Sequence, residues 1–151
     1  MIRVAVTAAD IDSGAELAKL EALGGGGVAS FTGIVRGGDG LEALLLEHHP
    51  RLTEPVMRDI AGEASRRWNL LGVVLVHRFG RLHPGERIIF CAAAARHRQA
   101  ALDATGFLVD WAKTKAPFWK QEQFADGRRH WIEARAADDV AADRWTDHAG
   151  R

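Results

Sequence analysis

The sequence predicts an α+β fold: a mixed, largely antiparallel sheet with helices packed against it. Three observations carry that reading. Apolar runs meet at short turn signals, as they do in hairpins, in three places; these hairpins outnumber any βαβ unit; and no dinucleotide or P-loop fingerprint marks a doubly wound sheet.

Ile2 to Thr7 alternates apolar and polar positions as a half-buried strand does, and Asp10 or Asp12 then caps a short helix carrying Leu17, Leu20 and Leu23. The run Gly24 to Gly27 ends that helix. Val28 to Val35 and Leu41 to His48 read as two strands of a hairpin, joined by Arg36-Gly37-Gly38-Asp39-Gly40, whose glycines permit positive φ. Thr53 is the expected N-cap of the next helix, with Pro55 in its first turn and Val56, Ile60, Ala64 and Trp68 as its buried stripe. Val73 to Phe79 and Arg87 to Ala95 flank His83-Pro84-Gly85-Glu86, a type II turn signal that predicts antiparallel pairing. The longest helical pattern runs from His97 to about Lys115, with Ala101, Ala104, Leu108 and Trp111 or Ala112 on one face, and Pro117 forbids its continuation. Phe118 to Phe124 and Arg129 to Ala134 form a last hairpin around Asp126-Gly127, before a short helical tail near Trp145.

At 151 residues, 47% hydrophobic and 26% charged, the chain has the length of one domain and the balance of a globular one, so a substrate site lies on this domain or between copies of it. Twenty basic residues balance twenty acidic ones, which disfavours general nucleic-acid binding and confines anion recognition to local clusters. The single cysteine, Cys91, excludes an intramolecular disulfide and a cysteine-based zinc site, and its apolar surroundings make it a core residue. The apolar runs are too short to span a bilayer and the N-terminus carries no signal-peptide core, so the cytoplasm is the expected compartment.

Sixteen of the basic residues are arginine and only four are lysine, and three of those four are Lys113, Lys115 and Lys120. Lysine, unlike arginine, can be desolvated, deprotonated and used as a base. The string from Lys113 to Glu122 sets these amines beside Pro117, Phe118 and Trp119, with Glu122 able to orient either of them. His97-Arg98 opens the long helix, where free backbone N–H groups, the helix dipole and a guanidinium favour a phosphate. Arg36, beside the glycine loop, is a second candidate. His48-His49 are not a metal pair, because neighbours on a strand point to opposite faces. If His97 and Lys113 end one continuous helix, about 24 Å separates them at 1.5 Å per residue. Either the helix breaks at Gly106, or the pocket lies between two copies of the chain, which is the preferred expectation.

These motifs resemble the catalytic (large) subunit of molybdopterin synthase. The resemblance runs from about residue 28 to 135: Phe31-Thr32-Gly33-Ile34-Val35-Arg36, Leu46-Glu47-His48-His49-Pro50 with Thr53-Glu54, His77-Arg78-Phe79-Gly80 with Pro84-Gly85-Glu86, His97-Arg98, the Lys113 to Glu122 string, and Trp131-Ile132-Glu133-Ala134-Arg135. It implies an α/β-hammerhead fold and a sulfur transferase that converts cyclic pyranopterin monophosphate to molybdopterin. The sulfur is carried as a C-terminal Gly-Gly thiocarboxylate on a small ubiquitin-like partner, the large subunit forms a homodimer with its site shared between subunits, and no cofactor or metal is required. By residue, the resemblance makes Lys113 and Lys120 catalytic. Arg36, His97, Arg98 and Arg135 bind the substrate phosphate, Phe31, Pro117 and Phe118 form the pocket walls, and Glu122 and Lys115 support them. His49 stands where the family usually has tyrosine and Lys115 where arginine is common. The alternatives are a non-catalytic module that binds a ubiquitin-like protein or a phosphorylated metabolite, and a Schiff-base lysine enzyme.

Overall fold

A computed structural model describes residues 1–133 and 136–146. In chain order its elements are β1 (Ile2–Thr7), α1 (Ser13–Glu21), β2 (Gly27–Ile34), β3 (Leu41–His48), α2 (Thr53–Trp68), β4 (Gly72–Arg78), β5 (Gly80–Leu82), β6 (Arg87–Ala95), α3 (Arg98–Lys115), β7 (Phe118–Phe124), β8 (Arg129–Trp131) and α4 (Ala136–Asp143). The strands form two four-stranded sheets, ordered β1-β4-β6-β2 and β5-β3-β7-β8. Every pairing is antiparallel except β1 with β4. The mixed, largely antiparallel α+β architecture is therefore present, with the sheet divided in two.

Period-two alternation in β4 explains how the first sheet is covered. Val73 and Leu75 face α2 and α3 in a core with Met57, Ile60, Ala64, Phe107 and Leu108, whereas Val74 and Val76 face α1 with Leu20 and Phe90. All seven residues of β4 are buried, as expected of a strand covered on both faces. A smaller cluster of Val35, Leu44, Leu46 and Leu82 joins the two sheets.

The expected hairpin of Val28–Val35 with Leu41–His48 does not form. β2 pairs with β6 over its whole length, and β3 pairs with β5 and β7 in the other sheet. The glycine loop is the crossing between sheets: Val35 N–H donates to the Glu86 carbonyl and the Gly85 N–H to that of Val35, while Gly38 and Gly40 take φ of 119° and 78°. A turn signal fixes a change of direction and leaves the choice of partner to longer-range burial. The pairing of β4 with β6 is antiparallel as expected, although β5 leaves between them for the second sheet. The β7–β8 hairpin also forms, closed at Gly127, but its second strand stops at Trp131; Ile132 and Glu133, expected to extend it, are not strand, and Ala134 lies outside the described residues.

Asp12 caps α1 through the Ala15 N–H. Thr53 is not a cap: it is the first residue of α2, fully buried, and its hydroxyl donates back to the His49 carbonyl. α3 is one continuous helix through Gly106, starting from an extended His97 and ending at Lys115. Ala116 leaves helical space (φ −72°, ψ 129°) as a residue before proline must, and β7 begins two residues later.

Candidate active site

That abrupt change from helix to strand builds the site. Lys113 stands in the last turn of α3 and Lys120 on the third residue of β7, and since side chains alternate along a strand, Phe118 and Lys120 share a face while Trp119 points away and is half exposed. That face closes against the end of the first sheet, where Gly33, Ile89 and His77 form one cross-strand row. Between them lies a cavity of about 360 Å³, lined by Phe31, Thr32, Gly33, Ile34, Arg36, His77, Ile88, Ile89, Ala112, Lys113, Ala116, Phe118 and Lys120.

Five sequence-predicted residues thus meet here: Phe31, Arg36, Lys113, Phe118 and Lys120. Pro117 lies between two lining residues and acts by setting their backbone rather than as a wall. Glu122 is two residues beyond Lys120 on β7, but its carboxylate faces His130 Nδ1 at 3.1 Å, not an amine. Lys115 is exposed, with its ammonium 4.6 Å from the centre of the Trp111 ring. His97 and Arg98 are exposed at the far end of α3, and His97 makes no capping hydrogen bond with its side chain. Arg135 lies outside the described residues.

The cavity is lined by basic side chains with no acidic one among them. Arg36, Lys113 and Lys120 take part in no ion pair among the described residues, and no carboxylate lines the wall. Burial, followed by the charge of Lys113, holds the Lys120 amine below the usual lysine range, with Asp138 pulling more weakly the other way. An apolar wall of Phe31, Ile89 and Phe118 faces these groups. Such a lining suits an anion, and a half-buried amine with a lowered pKa gives up its proton more readily than a solvated lysine.

The sequence model of the MoaE protein family matches residues 6–115, most of the chain. The chain belongs to the MoaE protein family. It is 48% identical to a Pseudomonas aeruginosa protein named molybdopterin synthase catalytic subunit, covering 95% of this chain and 99% of that one. An Escherichia coli protein of the same name is 46% identical over 80% of this chain and 81% of its own length. Among solved structures, the molybdopterin biosynthesis MoaE protein from Burkholderia ambifaria superposes with a TM-score of 0.82 at 43% identity, covering 96% of this chain and 98% of that one. The MoaE match begins inside β1, well before the motifs at Val28.

Sequence reasoning gave no role to His77, which the fold places in the cavity wall. Its signal was nonetheless present: a lone imidazole ending the apolar run Val73 to Val76 must be either satisfied or functional.

Proposed function

We propose that this chain is the catalytic subunit of a molybdopterin synthase, transferring sulfur from the C-terminal thiocarboxylate of a small ubiquitin-like partner to cyclic pyranopterin monophosphate in the cavity between α3, β7 and the end of the first sheet. One observation carries this reading: three basic side chains that form no ion pair among the described residues, one of them a desolvated amine, surround a cavity with an aromatic wall. The relatives' shared name supports it.

The two lysines take different roles. Lys113, exposed at the rim, attracts the thiocarboxylate and stabilises developing negative charge on oxygen. Lys120, whose protonated form is penalised by burial and by Lys113, moves protons as the pterin ring opens and oxygen is lost. Arg36 contributes a guanidinium suited to phosphate. Since α3 is unbroken, His97 and Arg98 complete the phosphate site of a second copy, making the working unit a homodimer with shared sites. No helix among the described residues is long and apolar enough to cross a membrane, in keeping with a cytoplasmic enzyme.

The test combines the chain, a thiocarboxylated partner and the cyclic pterin, and measures molybdopterin. Product dependent on all three is expected; a partner proven competent with another catalytic subunit, yet giving no product here, contradicts the reading.

A further inference from the structure

His77 sits in β4 on the face turned to α3, almost wholly buried. Its ring stacks on Phe118, with centroids 3.7 Å apart and planes 17° from parallel. Nδ1 is 2.7 Å from the Arg78 carbonyl oxygen, and because a carbonyl can only accept, Nδ1 carries the proton. The tautomer is thereby fixed, and Nε2 is left with a lone pair. The buried side-chain polar atoms lacking a partner among the described residues are Ser13 Oγ, Glu16 Oε2 and Arg78 Nε. Nε2 is not one of them and has no hydrogen-bond partner among the described residues, so on a residue that lines the cavity it is available to a ligand there.

We propose that His77 orients the substrate in this cavity, its Nε2 accepting a hydrogen bond from a neutral N–H or O–H group of the pterin. The chemistry of the lining makes that position distinctive. Arg36 and a lysine ammonium can only donate, or neutralise an anion, while the Thr32 hydroxyl and a Lys120 amine that has given up its proton donate or accept; Nε2 of a neutral imidazole only accepts. A substrate with an anionic end and a donor-bearing ring is therefore held in one orientation, phosphate toward the cations and donor toward the imidazole. An aligned acceptor in a desolvated wall rejects an analogue without the donor, since the lone pair is then buried unpaired.

The ring stays neutral through the working range. Burial is the main cause, with Lys120 on β7 and His48 on β3 adding repulsion against the Arg78 carbonyl's opposing pull, and together they bring the imidazole down to about 3. A protonated His77 would donate like the rest of the lining and lose its discrimination.

The proposal rests on the pterin reading above, and its test separates the two. His77→Leu and His77→Gln both lose the bond to Arg78, whereas only the glutamine places an acceptor near the position of Nε2. Kinetics with the thiocarboxylated partner and cyclic pyranopterin monophosphate should show kcat/KM down about tenfold in His77→Leu, mostly through KM, and largely restored in His77→Gln, at matched melting temperatures. Equal losses in both variants, or wild-type KM in His77→Leu, overturn the proposal. Should either variant fail to fold, nitrogen NMR of the wild-type imidazole decides: Nε2 must shift on adding the cyclic pterin, and an unmoved resonance at saturation overturns it. Wild-type turnover in the same samples reports on the sulfur-transfer reading alone. If that is absent, the pterin reading fails and this proposal falls with it.

Discussion

The two ends of α3 carry similar charge in opposite settings. At the C-terminal end, Lys113 and Lys120 meet an aromatic wall and Lys120 is desolvated; at the N-terminal end, His97 and Arg98 stand in solvent with no wall around them. Basic residues bind anions in either place, but only a low-dielectric wall changes what a basic residue can do chemically. In the proposed homodimer, the exposed end would gain a catalytic setting by being brought against the enclosed end of another copy.

The largest way to break this comparison is at Lys120. Lys120→Ala should lower molybdopterin turnover by about 10²- to 10⁴-fold, the range of a lost proton-transfer group, with the melting temperature nearly unchanged. A residual rate within threefold of wild type would remove Lys120 from catalysis. Arg98→Ala should act mainly on KM, by about tenfold or more, as expected for one charge-assisted contact to phosphate. A change confined to kcat would place Arg98 elsewhere than in substrate binding. The smallest effect sharpens the electrostatics. If deprotonated Lys120 is the base, the rate rises with pH as its amine loses a proton. Lys113→Met removes a neighbouring positive charge, raises the Lys120 pKa, and should move that rising limb to higher pH. An unmoved limb in the pH–rate profile would show that the two amines do not sense each other.

Periodicity and punctuation made most elements of this fold legible. Pro117 marked the helix end that places Lys113 and Lys120 on one cavity, and the length of α3 already separated His97 from the lysines. Strand partnership was not legible: the loop from Arg36 to Gly40 looks like a hairpin turn, and only the burial of Val35 between the sheets shows that it crosses from one to the other. Nor was the environment of each charged side chain. Glu122 lies close in sequence to two lysines yet faces His130, and Lys115 lies on Trp111, because alternation along a strand and the turn of a helix decide direction where proximity in the chain does not. His77 stayed hidden for the same reason, its cavity being assembled from four strands and a helix that are distant in sequence.

Mixing two defective variants probes the shared site most directly. Lys120→Ala, nearly inactive alone, and Arg98→Ala, impaired about tenfold when the cyclic pterin is held well below KM, are unfolded and refolded together to exchange copies and assayed at that low pterin concentration with thiocarboxylated partner. A site drawing its lysine from one copy and its arginine from the other predicts that the mixture regains roughly a quarter of wild-type activity, since half the dimers are mixed and each has one intact site. A mixture no more active than the sum of its parts would show that each copy works alone, contradicting the account.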